Sequence, residues 1–245
     1  MNQIVRLLDK ILLNRIAPII ENANVPTFEH NLAYKKKKSP QDVLSAVLDA
    51  LDIIRNHKLE NAAIISVDFA KAFDSLSHGY ILDFLQILGF PDTLIKFFQT
   101  RFMKTRGTLK DYLVDQTNYF FQISKGIPQG SALSGFIFIL CLTPLLHMIE
   151  ATNIIKPIEI DLQYMSYADQ KLTFPKFSAF ADDVNILVTI HKQGDSVPEI
   201  EALKEIFNKF QELSSLSVNF DKTFSFSSID NKLLDYIETK YQIKN

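Results

Sequence analysis

Apolar residues recur every three or four positions along much of this chain, a spacing that is typical of helices with one buried face. The stretches that show it are 4–20, 43–54, 81–88 and 200–210. The second of them follows Ser39-Pro40-Gln41-Asp42, where a capping residue, a proline and an acid in the first turn predict a helix start. The stretch 131–150 is apolar on nearly every side, so we expect a buried helix there.

Short runs rich in β-branched or aromatic residues predict strands between these helices. The clearest run, Ala62–Val67, ends at Asp68 and is typical of a buried strand. Further strands are expected at 119–123, in a hairpin over 177–188 and near Val218. Because helices come first and a strand, two helices, two strands and a helix then follow, we predict an α+β fold with an antiparallel sheet backed by helices.

The hairpin at 177–188 carries two adjacent acids. Asp182 and Asp183 are the only residues left to turn the chain between its two apolar runs. An ionised carboxylate near apolar surface is costly unless it is paired or binds a metal. The tip can therefore present both acids to divalent cations, or the two acids can form a plain polar turn.

Asp68 supplies a third carboxylate at the end of the predicted strand. If that strand pairs beside the hairpin, Asp68, Asp182 and Asp183 converge and repel one another, and a dication relieves the repulsion. Two Mg²⁺ ions, or Mn²⁺ in their place, about 3.5–4 Å apart would suit an in-line phosphoryl displacement. Three unrelated surface acids are the alternative interpretation.

Composition limits the number of domains, the class of protein and its cellular location. The chain of 245 residues forms one large or two small domains, and its single cysteine, Cys141, excludes a disulfide framework and indicates a buried, inert thiol. A net charge of -2 argues against a general polyanion-binding protein, although a local basic groove is compatible with it. The start shows no signal-peptide character, so we expect an intracellular protein, with nucleus and cytoplasm both open. The longest apolar run, 132–146, is shorter than the roughly 20 residues of a membrane span, so we expect no membrane partner.

Five segments resemble, in the family's order, the motifs of reverse transcriptases, especially those of non-LTR (LINE-type) retrotransposons. Segment 68–78 resembles motif A, 126–134 motif B, 180–183 motif C, 216–223 motif D, and 33–39 a fingers motif in which the family tends to place arginine. The sequence of residues 167–170 also resembles motif C, but Gln170 replaces the second acid, and the residues that follow are less typical of a strand. The order of the five segments makes the resemblance specific.

The resemblance implies roles for eight residues. Asp68, Asp182 and Asp183 match the metal-binding catalytic carboxylates. Phe73 matches the residue beneath the incoming sugar, where a ring would exclude a 2′-hydroxyl, and Gln129 matches a nucleotide-binding amide. Lys35 and Lys38 match fingers cations that hold the triphosphate, and Lys222 matches a lysine that protonates the leaving pyrophosphate.

Plainer interpretations stand beside these roles. Phe73 can be one core phenylalanine among 20, and Gln129 a polar loop residue. The lysine run that contains Lys35 and Lys38 can be a solvated face or a nuclear-import signal, and Lys222 an ordinary lysine at a strand end. Lysine in place of arginine also lacks the bidentate grip on phosphate.

The resemblance also implies a right-hand polymerase architecture. We expect residues 1–60 to form the N-terminal part of the fingers, 61–225 the palm with the remaining fingers elements, and 226–245 a short remnant, with the thumb largely absent. The implied activity is RNA-directed DNA polymerase, which adds dNTPs to a primer paired with an RNA or DNA template. The alternative is a truncated or decayed domain that binds nucleic acid without polymerising. No oligomeric state is predicted.

Overall fold

A computed structural model describes residues 3–23, 25, 31–33, 35, 37–59, 61–103, 106–110, 118–161, 171–227 and 231–242. In chain order its elements are α1 (Gln3–Asn22), α2 (Pro40–Asn56), β1 (Ala62–Val67), α3 (Ala72–Ser75), α4 (His78–Ile87), α5 (Asp92–Phe98), a π-helical turn (Gln99–Met103), β2 (Arg106–Lys110), β3 (Asn118–Gln122), α6 (Ala132–Ala151), β4 (Glu159–Asp161), β5 (Lys171–Thr173), β6 (Phe177–Phe180), β7 (Asp183–Thr189), α7 (Pro198–Ser214), a 3₁₀ turn (Phe220–Lys222), β8 (Phe224–Ser227) and α8 (Asn231–Tyr241).

The predicted start of α2 is confirmed. Ser39 adopts an extended conformation, and both its backbone N–H and its hydroxyl donate to Asp42 Oδ2, at 2.6 and 3.0 Å. These two hydrogen bonds and the lysine at position 38 lower the pKa of Asp42, the hydrogen bonds contributing more than the charge. The negative carboxylate beside the helix N-terminus also interacts favourably with the helix dipole.

A four-stranded antiparallel sheet forms the centre of the fold, with strand order β6-β7-β1-β8. Residues of β1 alternate between two apolar clusters. Ala63, Ile65 and Val67 contribute to the main core, while Ala62 and Ile64 pack in a smaller cluster that includes residues of α2. The sheet is therefore covered on both faces along β1, and the prediction of an antiparallel sheet backed by helices is confirmed.

Helix α6 is the centre of the main core, where it contacts α1 and α7. Within the described ranges it is the one helix that is long and apolar enough to cross a membrane, but 78% of that apolar window is buried inside the fold. Cys141 lies on this helix and is fully buried, and burial raises the pKa of its thiol. The prediction of a buried cysteine is confirmed.

Two local predictions are wrong. The hairpin between β6 and β7 turns on Ala181 and Asp182, because Asp183 is already paired with Phe180 as the first residue of β7. Near Val218 there is a single bridge to Phe69 instead of a regular strand, and the strand that pairs with β1 begins only at Phe224. The segment 167–170 lies outside the described residues. The division into fingers, palm and remnant stays a prediction.

Candidate active site

The register between β1 and β7 brings two of the predicted carboxylates together. Val67 pairs with Val184 as the last pair of the ladder, and continuing this register by one residue beyond β1 sets Asp68 opposite Asp183. Residues that face each other across antiparallel strands have Cβ atoms roughly 4.5–5.5 Å apart. Asp182 adjoins this pair in the hairpin turn. The expected convergence of the three segments follows from strand pairing alone.

The raised pKa of Asp183 also indicates that the three acids lie close together. Although this side chain is solvent-exposed, the surrounding protein removes some water from its carboxyl group, which raises its pKa. The negative charges of Asp182 and Asp68 raise that pKa further. Among the described residues, no lysine or arginine forms an ion pair with any of the three acids. The site is therefore a concentration of negative charge without a protein counterion in this part of the chain.

Three carboxylates are oxygen donors of the kind that Mg²⁺ prefers. In the described part of the chain, however, no group of three histidine, cysteine, aspartate or glutamate side chains is arranged closely enough to hold an ion. The two findings are compatible because charge repulsion acts over longer distances than coordination does. By their chemistry, the three carboxylates fit a divalent ion.

Phe73 and Gln129 line one cavity of about 380 Å³, together with Gly130, Ser131, Ala132, Ser134 and Gly135. The ring of Phe73 stacks on Phe138 with 4.5 Å between ring centroids, which fixes its position against the core. Gln129 is exposed and also lines a second cavity of about 290 Å³ beside Asp74 and Lys125. The two residues that were predicted to contact a nucleotide are thus brought to the same cavity.

The loop that carries Gln129 is docked on the chain around Phe73 by backbone hydrogen bonds. Gly126 N–H donates to Leu76 O at 2.8 Å, and Ile127 N–H donates to Phe73 O at 2.7 Å. The buried side chain of His78 adds a third bond, donated from Nε2 to Gly126 O at 2.7 Å. His78 lies within the motif A segment, but nothing in the sequence signals a bond to a residue 48 positions away.

The lysines are placed less closely than the acids. Lys222 ends the 3₁₀ turn with an exposed side chain, and the segment before it is bonded to the residue that follows β1 by Asn219 N–H, which donates to Asp68 O at 2.8 Å. Lys38 is exposed beside Asp42 at the start of α2, and Lys35 is half-buried. The structure gives neither Lys35 nor Lys38 a contact with the Phe73 cavity.

One residue near the acids was missed entirely. Asn31 is fully buried, and its side chain bonds to the backbone of Ala181 in the hairpin turn. It lies in a stretch without regular spacing, and its partner is 150 residues away. No sequence pattern could have indicated this contact.

Comparison with known proteins agrees with this arrangement. The family model for reverse transcriptase (RNA-dependent DNA polymerase) matches residues 1–241. The chain belongs to the reverse transcriptase family. The prediction of the family from the five motif segments is confirmed, and the family is one of RNA-directed DNA polymerases.

A retrotransposon protein is among the relatives. The retrovirus-related Pol polyprotein from type-1 retrotransposable element R2 of Popillia japonica is 28% identical over 185 residues, which are 76% of this chain and 24% of that protein. This relationship supports the predicted non-LTR class. The chain spans about a quarter of the length of this relative.

Solved structures of telomerase share the fold. Telomerase from Candida albicans, in complex with a fragment of telomeric RNA, superposes with a TM-score of 0.54 at 15% identity over 92% of this chain and 34% of that chain. Apo telomerase from Candida tropicalis gives a TM-score of 0.57 at 13% identity over 89% of this chain and 40% of that chain. These similarities confirm the α+β fingers and palm fold.

Proposed function

We propose that this chain is the core of an RNA-directed DNA polymerase that extends a primer with dNTPs on an RNA template. The observation that carries the proposal is the register that sets Asp68 opposite Asp183, next to Asp182. The raised pKa of Asp183, to which both neighbouring acids contribute, supports it. A site with three acids and no paired cation among the described residues is costly for stability and useful for binding metal ions.

In the proposed reaction the primer 3′-oxygen forms a bond to the α-phosphorus of a dNTP, and the bond to pyrophosphate breaks. Asp68, Asp182 and Asp183 would hold two divalent ions, Mg²⁺ or Mn²⁺. Bound there, these ions would offset negative charge on the attacking and leaving oxygens. The 3′-hydroxyl releases its proton to water as it attacks, and Lys222 is the proposed donor of a proton to the leaving pyrophosphate. Lys222 would then regain a proton from water.

The remaining roles concern how the nucleotide is held. Phe73 would lie beneath the sugar and exclude a 2′-hydroxyl, and the Gln129 amide would hydrogen-bond to the nucleotide in the cavity that both residues line. Lys35 and Lys38 would hold the triphosphate when the fingers close on it. Lys38 lowers the pKa of Asp42 by its charge and would have to leave that carboxylate to reach the triphosphate.

A second function is favoured by one observation. In the described part of the chain no three ligands are already arranged around an ion position. A domain that binds RNA and a primer without polymerising is compatible with that arrangement.

Primer extension on an RNA template with Mg²⁺ separates the two functions. The wild-type chain is compared with Asp182→Asn and with Asp52→Asn, which changes an exposed acid on α2. We expect product from the wild type and from Asp52→Asn, and a loss of at least about a hundredfold in Asp182→Asn. Equal extension by all three proteins would refute the catalytic role of the site. No product from any of them, with RNA binding retained, would support the binding domain.

A further inference from the structure

The turn that carries Asp182 contains a residue in an unfavourable conformation. Ala181 has a φ of 56°, in the left-handed region that residues with a Cβ atom seldom adopt. Ala181 and Asp182 are the two residues that connect the paired Phe180 and Asp183. Glycine is the usual choice for such a position. An alanine there needs support from the surrounding structure.

Asn31 provides that support from a distant part of the chain. Its Nδ2 donates to Ala181 O at 3.0 Å, and its Oδ1 accepts from Ala181 N–H at 3.1 Å. Oδ1 also accepts from Ala33 N–H at 3.2 Å, which fixes the orientation of the amide. The side chain is fully buried, so water does not compete for these bonds. One amide thus holds both peptide groups that flank Ala181.

Holding these two peptide groups has a consequence for the acids. The carbonyl of Ala181 belongs to the peptide bond that leads into Asp182, so its orientation sets the direction in which the Asp182 side chain leaves the turn. The segment that carries Asn31 is also hydrogen-bonded to β6, since Leu32 N–H donates to Ala179 O at 2.9 Å. The carboxylates repel one another, and a loose turn would let Asp182 and Asp183 move apart.

We propose that Asn31 is a positioning residue, which holds Ala181 in the left-handed conformation and thereby directs Asp182 and Asp183 toward a shared divalent ion. The inference rests on the proposed function for the identity of that ion. It goes beyond that function because it assigns a role to a residue that contacts neither metal nor nucleotide. Groups that hydrogen-bond to metal ligands typically change metal affinity by 10–100-fold, and Asn31 acts one residue away, through the peptide group that leads into Asp182.

The test measures Mn²⁺ affinity by electron paramagnetic resonance on the chain alone, without nucleic acid or dNTP. The relevant sites are those lost in Asp182→Asn. We expect Asn31→Ala to weaken Mn²⁺ binding at these sites about tenfold or more. Adding Ala181→Gly to Asn31→Ala should restore most of the affinity, because glycine adopts a positive φ without help.

Two further measurements separate positioning from general destabilisation. Ser214→Ala removes another buried, hydrogen-bonded polar group, at the end of α7, and should lower thermal stability while leaving Mn²⁺ affinity unchanged. In primer extension, Asn31→Ala should raise the Mg²⁺ concentration that gives the half-maximal rate. Adding Ala181→Gly to Asn31→Ala should lower this concentration again.

The outcomes are distinct for the inference and for the proposed function. Unchanged Mn²⁺ affinity in Asn31→Ala overturns the inference, and so does an Asn31→Ala/Ala181→Gly double variant as weak as the single one. If Asp182→Asn removes no Mn²⁺ site, the inference is overturned as well. If the wild type binds Mn²⁺ in an Asn31-dependent manner but makes no DNA, the inference stands and the polymerase proposal fails.

Discussion

A methyl group added at Gly126 has no space. A Cβ atom there would lie 2.8 Å from Asp74 Cα, 2.8 Å from Phe73 O and 2.9 Å from Asp74 O. All three are backbone atoms, which cannot rotate away as a flexible side chain would. Gly126 also has a φ of +87°, a conformation that disfavours alanine in any surroundings. Gly126→Ala should therefore be strongly destabilising.

The magnitude follows from two separate costs. The left-handed conformation costs an alanine about 1–2 kcal/mol. The collision with the backbone of Phe73 and Asp74 adds an overpacking cost of about 1–3 kcal/mol. If the loop moves away to relieve it, the hydrogen bonds from Gly126 N–H and Ile127 N–H are weakened, at about 1 kcal/mol each. Either route gives a total loss of about 2–5 kcal/mol.

Gly89 offers a matched control. It has a φ of +78°, but a Cβ atom added there would meet nothing within 4 Å. Gly89→Ala should therefore show the conformational cost alone, about 1–2 kcal/mol. Urea denaturation followed by circular dichroism gives the free energy of unfolding of the wild type and both variants. A Gly126→Ala variant that is no less stable than Gly89→Ala would refute the steric reasoning.

The same variant also probes the nucleotide cavity. The loop displaced by Gly126→Ala carries Gln129, which lines the cavity with Phe73. We expect an apparent KM for dNTP that is raised about tenfold, since a shift of the loop moves one polar contact out of reach. Gly89→Ala should leave this KM unchanged. An unaltered KM in both variants would show that the loop position does not control nucleotide binding.

Three further predictions concern other parts of the molecule. Because the folded state raises the pKa of Asp183, stability should fall as pH rises from the ordinary aspartate pKa through the raised one. Without divalent ions, Asp183→Asn should therefore have a higher melting temperature than the wild type at pH 7, and this difference should shrink near pH 4. A lower melting temperature of Asp183→Asn at pH 7 would contradict this prediction. Asp9 is buried and accepts a hydrogen bond from the Ser131 hydroxyl at 2.6 Å. Asp9→Ala should therefore lower the free energy of unfolding by about 2–3 kcal/mol in urea titrations, whereas the exposed control Asp52→Ala should lower it by less than about 0.5 kcal/mol. Equal losses in the two variants would show that the buried hydrogen bond is unimportant. Phe73→Val should increase incorporation of rNTP relative to dNTP about tenfold or more in single-nucleotide extension assays, and an unchanged ratio would remove Phe73 from sugar selection.

The carboxylate site was largely predictable because its determinants are local. Asp68 directly follows a buried run, and Asp182 and Asp183 interrupt two others, so each acid had to lie at a strand end. The error concerned which residues form the turn. A single chain offers no way to see that Asn31, 150 residues away, hydrogen-bonds to a left-handed alanine, which forms the turn together with Asp182 and leaves Asp183 paired in the strand.

The region around Val218 shows a second limit. The apolar residues at 216–220 are typical of a strand, but the backbone of this segment hydrogen-bonds to the segment that follows β1. Ala70 N–H donates to Ser217 O and Asn219 N–H donates to Asp68 O, after which a 3₁₀ turn interrupts the ladder. Pairing with a curved segment outside the sheet is a tertiary effect that local propensity does not contain. Lys222 therefore lies in a turn and not at a strand end.

The position of the acids depends on core packing as much as on the acids themselves. A one-residue slip between β1 and β7 would turn every buried side chain of one strand to the opposite face. Val184 and Ile186 lie in the main core with Val67, whereas Asp183 is exposed and Asn185 is half-buried, so a slip would turn these two polar side chains toward the core. The register that sets Asp68 opposite Asp183 is thus maintained by apolar burial, against the mutual repulsion of the carboxylates. Variants that shorten these core side chains should consequently weaken metal binding at the proposed site, although they change none of the three acids.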